Sequence, residues 1–168
     1  MPVQPGVQLH AAALGVVAGM RSQLPLALIC LAARQRDGDQ WNLPEILTSP
    51  KVTALLLASA AGELVVDKLP VTPSRLMPGS LIVRAGIGGL AGALLFRGSG
   101  LQPIRGSLVG AAGALAGSYA GYNVRAGLGA ATGLPDPLFA VLEDVTAVAI
   151  GRYAVGLAAL PDPDAATR

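Results

Sequence analysis

The chain is expected to fold as an all-α, polytopic membrane protein with about five transmembrane helices. Its composition points there first: 52% of 168 residues are hydrophobic and only 13% are charged, whereas soluble domains carry about 25% charged residues. Mean hydropathy is +0.57. The 22 glycines are the second sign, because small residues let helices approach closely in lipid. The third is length. Apolar stretches at 7–33, 51–69, 79–96, 106–128 and 138–160 are each near the roughly 20 residues that a span needs. They leave no room for a separate soluble domain, so residues 1–168 read as a single integral membrane domain.

The first stretch, 7–33, contains Gly15-Val-Val-Ala-Gly19, a small-xxx-small packing face, followed by Met20-Arg21-Ser22-Gln23-Leu24-Pro25. Pro25 cannot donate a backbone hydrogen bond, so a carbonyl near residue 21 is freed. A kinked single helix and two half-helices both remain open. Broken helices at membrane depth are tolerated where they line a cavity or are buried in protein. Residues 34–50 are polar and contain Trp41, as expected of an extramembrane loop with an interfacial anchor.

The second stretch ends in Glu63 and Asp67, which share a helical face at spacing four. A proline-rich turn from Pro70 to Pro78 precedes the third stretch, which holds Arg84, Gly88 and Gly92. The fourth carries Gly113, Gly117 and Gly121 at spacing four, a helix-packing ridge on which a homodimer or higher oligomer is expected, and ends near Arg125. The fifth opens with Glu143 and Asp144. Arg84-Ala-Gly-Ile-Gly-Gly recurs as Arg125-Ala-Gly-Leu-Gly-Ala, either an internal repeat of the kind seen in transporters or chance in a chain so rich in Ala and Gly.

Five alternating spans put Arg34, Arg36, Lys51, Arg97, Arg105, Arg152 and Arg168 on one side and only Lys68 and Arg75 on the other. The positive-inside rule then gives an N-out, C-in orientation. In that arrangement Glu63, Asp67, Arg84, Arg125, Glu143 and Asp144 converge on the outer half of the bilayer, with Arg21 deeper. Intramembrane charges are expensive unless paired, and they commonly mark function.

Several function classes are disfavoured. The net charge of +2 is carried by scattered residues with only 4% aromatics, so nucleic acid is not an expected partner. Cys30 is the only cysteine, which leaves neither a disulfide framework nor a cysteine metal site. His10 is the only histidine, so Ser22 has no imidazole to activate it. Gly86, Gly88 and Gly92 lack the spacing of a dinucleotide fingerprint, and P-loop, nucleophile-elbow and zincin motifs are missing. The N-terminus has no basic region typical of a cleaved signal. No enzyme activity and no cofactor are expected.

The combination of Ala-Gly-Met-Arg21-Ser22 with Pro25, Glu63, Asp67-Lys-Leu-Pro70, Pro73-Ser-Arg75, Gly-Leu-Pro-Asp136 and Glu143-Asp144 resembles an uncharacterised bacterial membrane family, domain of unknown function 4126, over nearly the whole chain. The resemblance implies a small multi-span helical protein of the bacterial cytoplasmic membrane and supplies no substrate. The functional expectation is therefore a small channel or transporter for an ion or small solute, with a cation or proton favoured. Arg21, Ser22, Glu63, Asp67, Arg84, Arg125, Glu143 and Asp144 would form its binding or gating site. Whether a metal binds is left open. The alternative is a membrane scaffold or accessory subunit whose charges are structural. An intramembrane enzyme acting on lipid or isoprenoid ranks lowest, since no repeated Asp-rich motif is found.

Overall fold

The computed structural model describes residues 5–35, 43–66, 76–133 and 135–156, and among these it is all-helical. The helices are α1 (Pro5–Met20), α2 (Leu24–Gln35), α3 (Glu45–Thr48), α4 (Pro50–Val66), α5 (Pro78–Gly98), α6 (Pro103–Thr132) and α7 (Asp136–Ala154). Asp67, Lys68, Arg75 and Trp41 lie outside the described residues.

Proline and glycine set the punctuation. Pro78 and Pro103 occupy the first turns of α5 and α6, where a missing N–H costs nothing. Gly100 and Gly133 adopt φ of 69° and 65°, and each lets the chain leave a helix in a left-handed cap. At Gly133 the cap is closed by its N–H donating to the Gly129 carbonyl at 3.0 Å.

Helix α1 is the hub. Ala11, Leu14, Val17 and Ala18 are fully buried, and α1 packs on α2, α5, α6 and α7. Glycine makes this closeness feasible. A Cβ on Gly92 would overlap the Gly106 carbonyl, and one on Gly88 would lie 2.7 Å from the Gly110 carbonyl, so α5 and α6 run antiparallel nearly backbone to backbone. Gly15 and Gly19 meet α6 in the same way at Gly110, Gly113, Ala114 and Ser118, with α1 and α6 parallel. The Gly113 and Gly117 ridge is therefore filled by Ala12, Gly15 and Val16 of the same chain. At those two glycines the neighbour is α1 and not a second copy.

The first apolar stretch is two helices, and they fold back on each other. Val17 and Leu28 both come within 4 Å of one point, the Cβ position of Gly151 on α7. In a continuous helix those residues would be roughly 16 Å apart along the axis. Leu28, Ile29 and Ala32 return to the core formed by Ala11, Leu14, Leu95 and Phe96. The hairpin tip is Arg21-Ser22-Gln23, between the two helices. Stretch 7–33 is thus not a single crossing, and residues 5 and 35 lie at the same end of the bundle.

The remaining helices alternate. Leu43 and Leu47, in and beside α3, pack on the core at the open end of the hairpin, and α4 runs from there so that Glu63 reaches the tip. Helix α5 returns, α6 ascends, and α7 descends until Tyr153 meets the His10 ring edge-on, with centroids 5.4 Å apart. The start of α1 and the end of α7 are therefore together. The hairpin adds a reversal that five simple crossings lack, and this brings those two helix ends to one end of the bundle. Polar residues 45–48, assigned to loop, form the short α3.

The glycine contacts yield a paired expectation. Gly92→Ala forces α5 from α6 and should destabilise by roughly 1–3 kcal/mol, read from thermal unfolding. Gly86→Ala, which meets nothing within 4 Å, should be neutral or stabilising by up to about 1 kcal/mol.

Candidate functional site

A broken helix in an apolar interior strands carbonyls at one end and N–H groups at the next start, and each costs several kcal/mol if left without a partner. At the hairpin tip, other helices supply those partners. Glu63 on α4 accepts hydrogen bonds from the Ser22 N–H (2.8 Å), the Ser22 hydroxyl (2.9 Å) and the Gln23 N–H (3.0 Å). A carboxylate thus caps the start of α2, where the helix dipole also favours negative charge.

The opposite charge serves the opposite end. Arg84 on α5 donates through Nη1 to the Gly19 carbonyl at 2.6 Å, in the last turn of α1, where a cation suits the dipole. The single hydroxyl proton of Ser118 on α6 is shared between this carbonyl at 3.3 Å and the Ala114 carbonyl at 2.9 Å. Arg84 also donates through Nε to Ser80 at 3.2 Å, and its Nη2 lies 3.8 Å from Glu63 Oε1. The two caps are therefore joined by an ion pair.

Arg21 itself is only 1% exposed. It donates through Nε to Asp144 Oδ1 at 2.5 Å, and Nη2 contacts the same oxygen. This fastens the tip to α7. Further along α6 and α7, Arg125 Nη1 faces Glu143 Oε2 at 3.8 Å. Those two residues line a groove of about 280 Å³ between α1, α6 and α7, otherwise walled mainly by apolar side chains such as Val16, Met20, Val124 and Phe139.

The structure thus brings Arg21, Ser22, Glu63, Arg84 and Asp144 together around one feature, and it places Arg125 with Glu143 beside it. Asp67 lies outside the described residues. Arg21 is at the tip in direct contact with Asp144. Gly19, singled out for packing, also supplies the carbonyl on which Arg84 and Ser118 converge. Gly121 lines the groove. Ser118, Ser80 and the Gln23 amide were not foreseen. Ser118 left one signal: it is a hydroxyl directly after Gly117, on the small-residue face of a buried helix.

Chemically, the arrangement is a set of carboxylate–guanidinium pairs of near-zero net charge. Among the described residues no group of three or more His, Cys, Asp or Glu side chains is placed to hold a metal ion. Glu63 spends its oxygens on backbone and hydroxyl donors. Glu143, in the groove wall, faces space large enough for a guest.

Removing one member of a buried ion pair leaves a charge without compensation. Arg21→Leu alone should therefore cost about 3–5 kcal/mol. The double change Arg21→Leu with Asp144→Leu should cost less than that single change. A double-mutant cycle on unfolding free energy checks this, and simple additivity would count against the coupling.

Comparison with curated proteins gives no match, and neither does comparison with solved structures. A family model does match, over residues 9–160, covering most of the chain and every helix that contributes to the site. The chain belongs to the family described as domain of unknown function DUF4126.

Proposed function

We propose that the chain is a multi-span membrane protein acting as a small channel or transporter for an ion or small solute, with a cation or proton favoured. The observation that carries this reading is the broken helix whose ends are held by charged side chains from separate helices inside an apolar bundle. Such interruptions accompany solute sites in transporters, and buried membrane charges commonly mark pathways. Helix α5 is long and apolar enough to cross a membrane by length and composition, with a hydropathy of 1.6. Large apolar side chains stand on outer surfaces of neighbouring helices too, among them Leu55, Leu108, Val141 and Val145. Large apolar side chains exposed on several helices suit lipid better than water.

The hairpin changes the orientation that follows. Both ends of the described chain lie with Arg34, Lys51, Arg97, Arg105 and Arg152, so the positive-inside rule favours both on the cytoplasmic side. The charge cluster then lies in the outer half of the bilayer. A bacterial inner membrane is the proposed location.

A second reading, a scaffold or accessory subunit, is favoured by one observation: the acids described in the cluster already face arginine or backbone donors of the same chain. Reconstitution into liposomes separates the two. Transport predicts flux of at least one of H⁺, Na⁺ or K⁺, reduced severalfold by Glu143→Gln, and thiol labelling of Gln8→Cys and Thr132→Cys (Cys30 replaced by Ala) from opposite faces. Correctly assembled protein that moves none of these ions would refute transport. Labelling of both cysteines from one face would refute the topology.

A further inference from the structure

We propose that the outer face of α6 binds an anionic phospholipid, with its phosphate at the α5–α6 turn and an acyl chain along the helix. This rests on the membrane reading above and stands whether or not the protein moves ions. Arg105, Leu108, Ala112, Leu115 and Tyr119 follow one another at spacings of three and four, so they form one stripe of α6. All of them are exposed, Leu108 at 68% and Tyr119 at 50%. From Leu108 to Tyr119 the stripe rises roughly 16 Å, close to one leaflet of a hydrocarbon core about 30 Å thick. A cation thus stands at the foot of an apolar track as long as an acyl chain.

Charge selects the head. Arg97, also exposed, lies in the last turn of α5, across a turn tied by the Leu101 N–H donating to the Phe96 carbonyl at 2.8 Å. No Asp or Glu occurs between Asp67 and Asp136, and α1, which also packs on α6, has none. Glu143 and Asp144 of α7 face Arg125 and Arg21, at the far end of the bundle. Glu45, at the same end as the turn, belongs to α3, which packs on α2 and α4. Among the described residues, α6 and its neighbours α1 and α5 therefore offer these two arginines no acid. A phosphate diester supplies the missing charge through charge-assisted hydrogen bonds to the guanidinium. A choline head would bring its own ammonium to the same place and cancel most of that gain. A free phosphate ion would use the arginines and leave the track unused, whereas a phospholipid uses both.

The test places the full chain in phosphatidylcholine nanodiscs with a trace of diazirine-bearing phosphatidylglycerol or diazirine-bearing phosphatidylcholine, and maps cross-links by mass spectrometry. The phosphatidylglycerol probe is expected to label residues 108–119 about twentyfold more, roughly fivefold for each of two cations at a lipid surface. Arg97→Gln with Arg105→Gln should remove the preference, and Arg105→Lys should retain most of it. If the double variant does not fold, Arg105→Gln alone should lower the preference roughly fivefold. Arg34→Gln with Lys51→Gln, exposed cations of α2 and α4 at the same end, should leave it unchanged. Equal loss in the two double variants would overturn the site in favour of diffuse surface charge. Suppression of labelling by inorganic phosphate would overturn the lipid as its occupant. Flotation of washed proteoliposomes reports insertion separately: a chain that does not insert refutes the membrane reading, whereas an inserted chain labelled equally by both probes overturns the lipid site alone.

Discussion

The structure depends on how a chain reversal is tolerated inside an apolar bundle. Where α1 ends and α2 begins, the backbone must give up its regular hydrogen bonds in a setting with little water to replace them. Glu63 takes the amides of Ser22 and Gln23, while Arg84 and Ser118 take the Gly19 carbonyl. Each cap carries the sign that its helix end favours. The pairing of Arg84 with Glu63 keeps two charges near mid-bundle from standing alone, and Arg21 with Asp144 repeats the solution on the other side of the tip.

These contacts dictate where the surrounding helices stand. A cap works only if α4 brings Glu63 to the tip and α5 brings Arg84 close to α1. The second requirement is met by glycine: with hydrogens in place of side chains at Gly15, Gly88, Gly92, Gly106 and Gly110, three helices approach until backbone meets backbone. Arg84 then reaches a carbonyl of α1 at 2.6 Å. Close packing and polar capping therefore reinforce each other. The end of α6 beyond Ser118 lies outside this tight core, and there the looser α6–α7 pair leaves the groove.

Much of this was legible in the sequence, though not its topology. Helical class, the start of each apolar stretch to within a few residues, and the pause at Gly19–Pro25 followed from hydropathy, glycine and proline. The charged residues that meet at the tip stood out because acids and arginines are rare in apolar runs. What the sequence could not convey was direction. A kink and a full reversal free similar backbone groups, and only contacts such as Val17 and Leu28 at Gly151 distinguish them. That one ambiguity propagated into the assignment of sides and placed the two chain ends apart. The glycine ridge of α6 was similarly ambiguous, since spacing shows that a face can pack closely but not whether its partner is α1 or another copy.

The capped hairpin tip is tested most directly by amide hydrogen exchange at Ser22 and Gln23, comparing the wild type with Glu63→Ala. If Glu63 closes the break, both amides are protected in the wild type, and their exchange accelerates selectively in the variant while amides in the middle of α1 and α6 keep their rates. Fast exchange at Ser22 and Gln23 in the wild type, or rates unchanged by Glu63→Ala, would contradict a reversal held by that carboxylate.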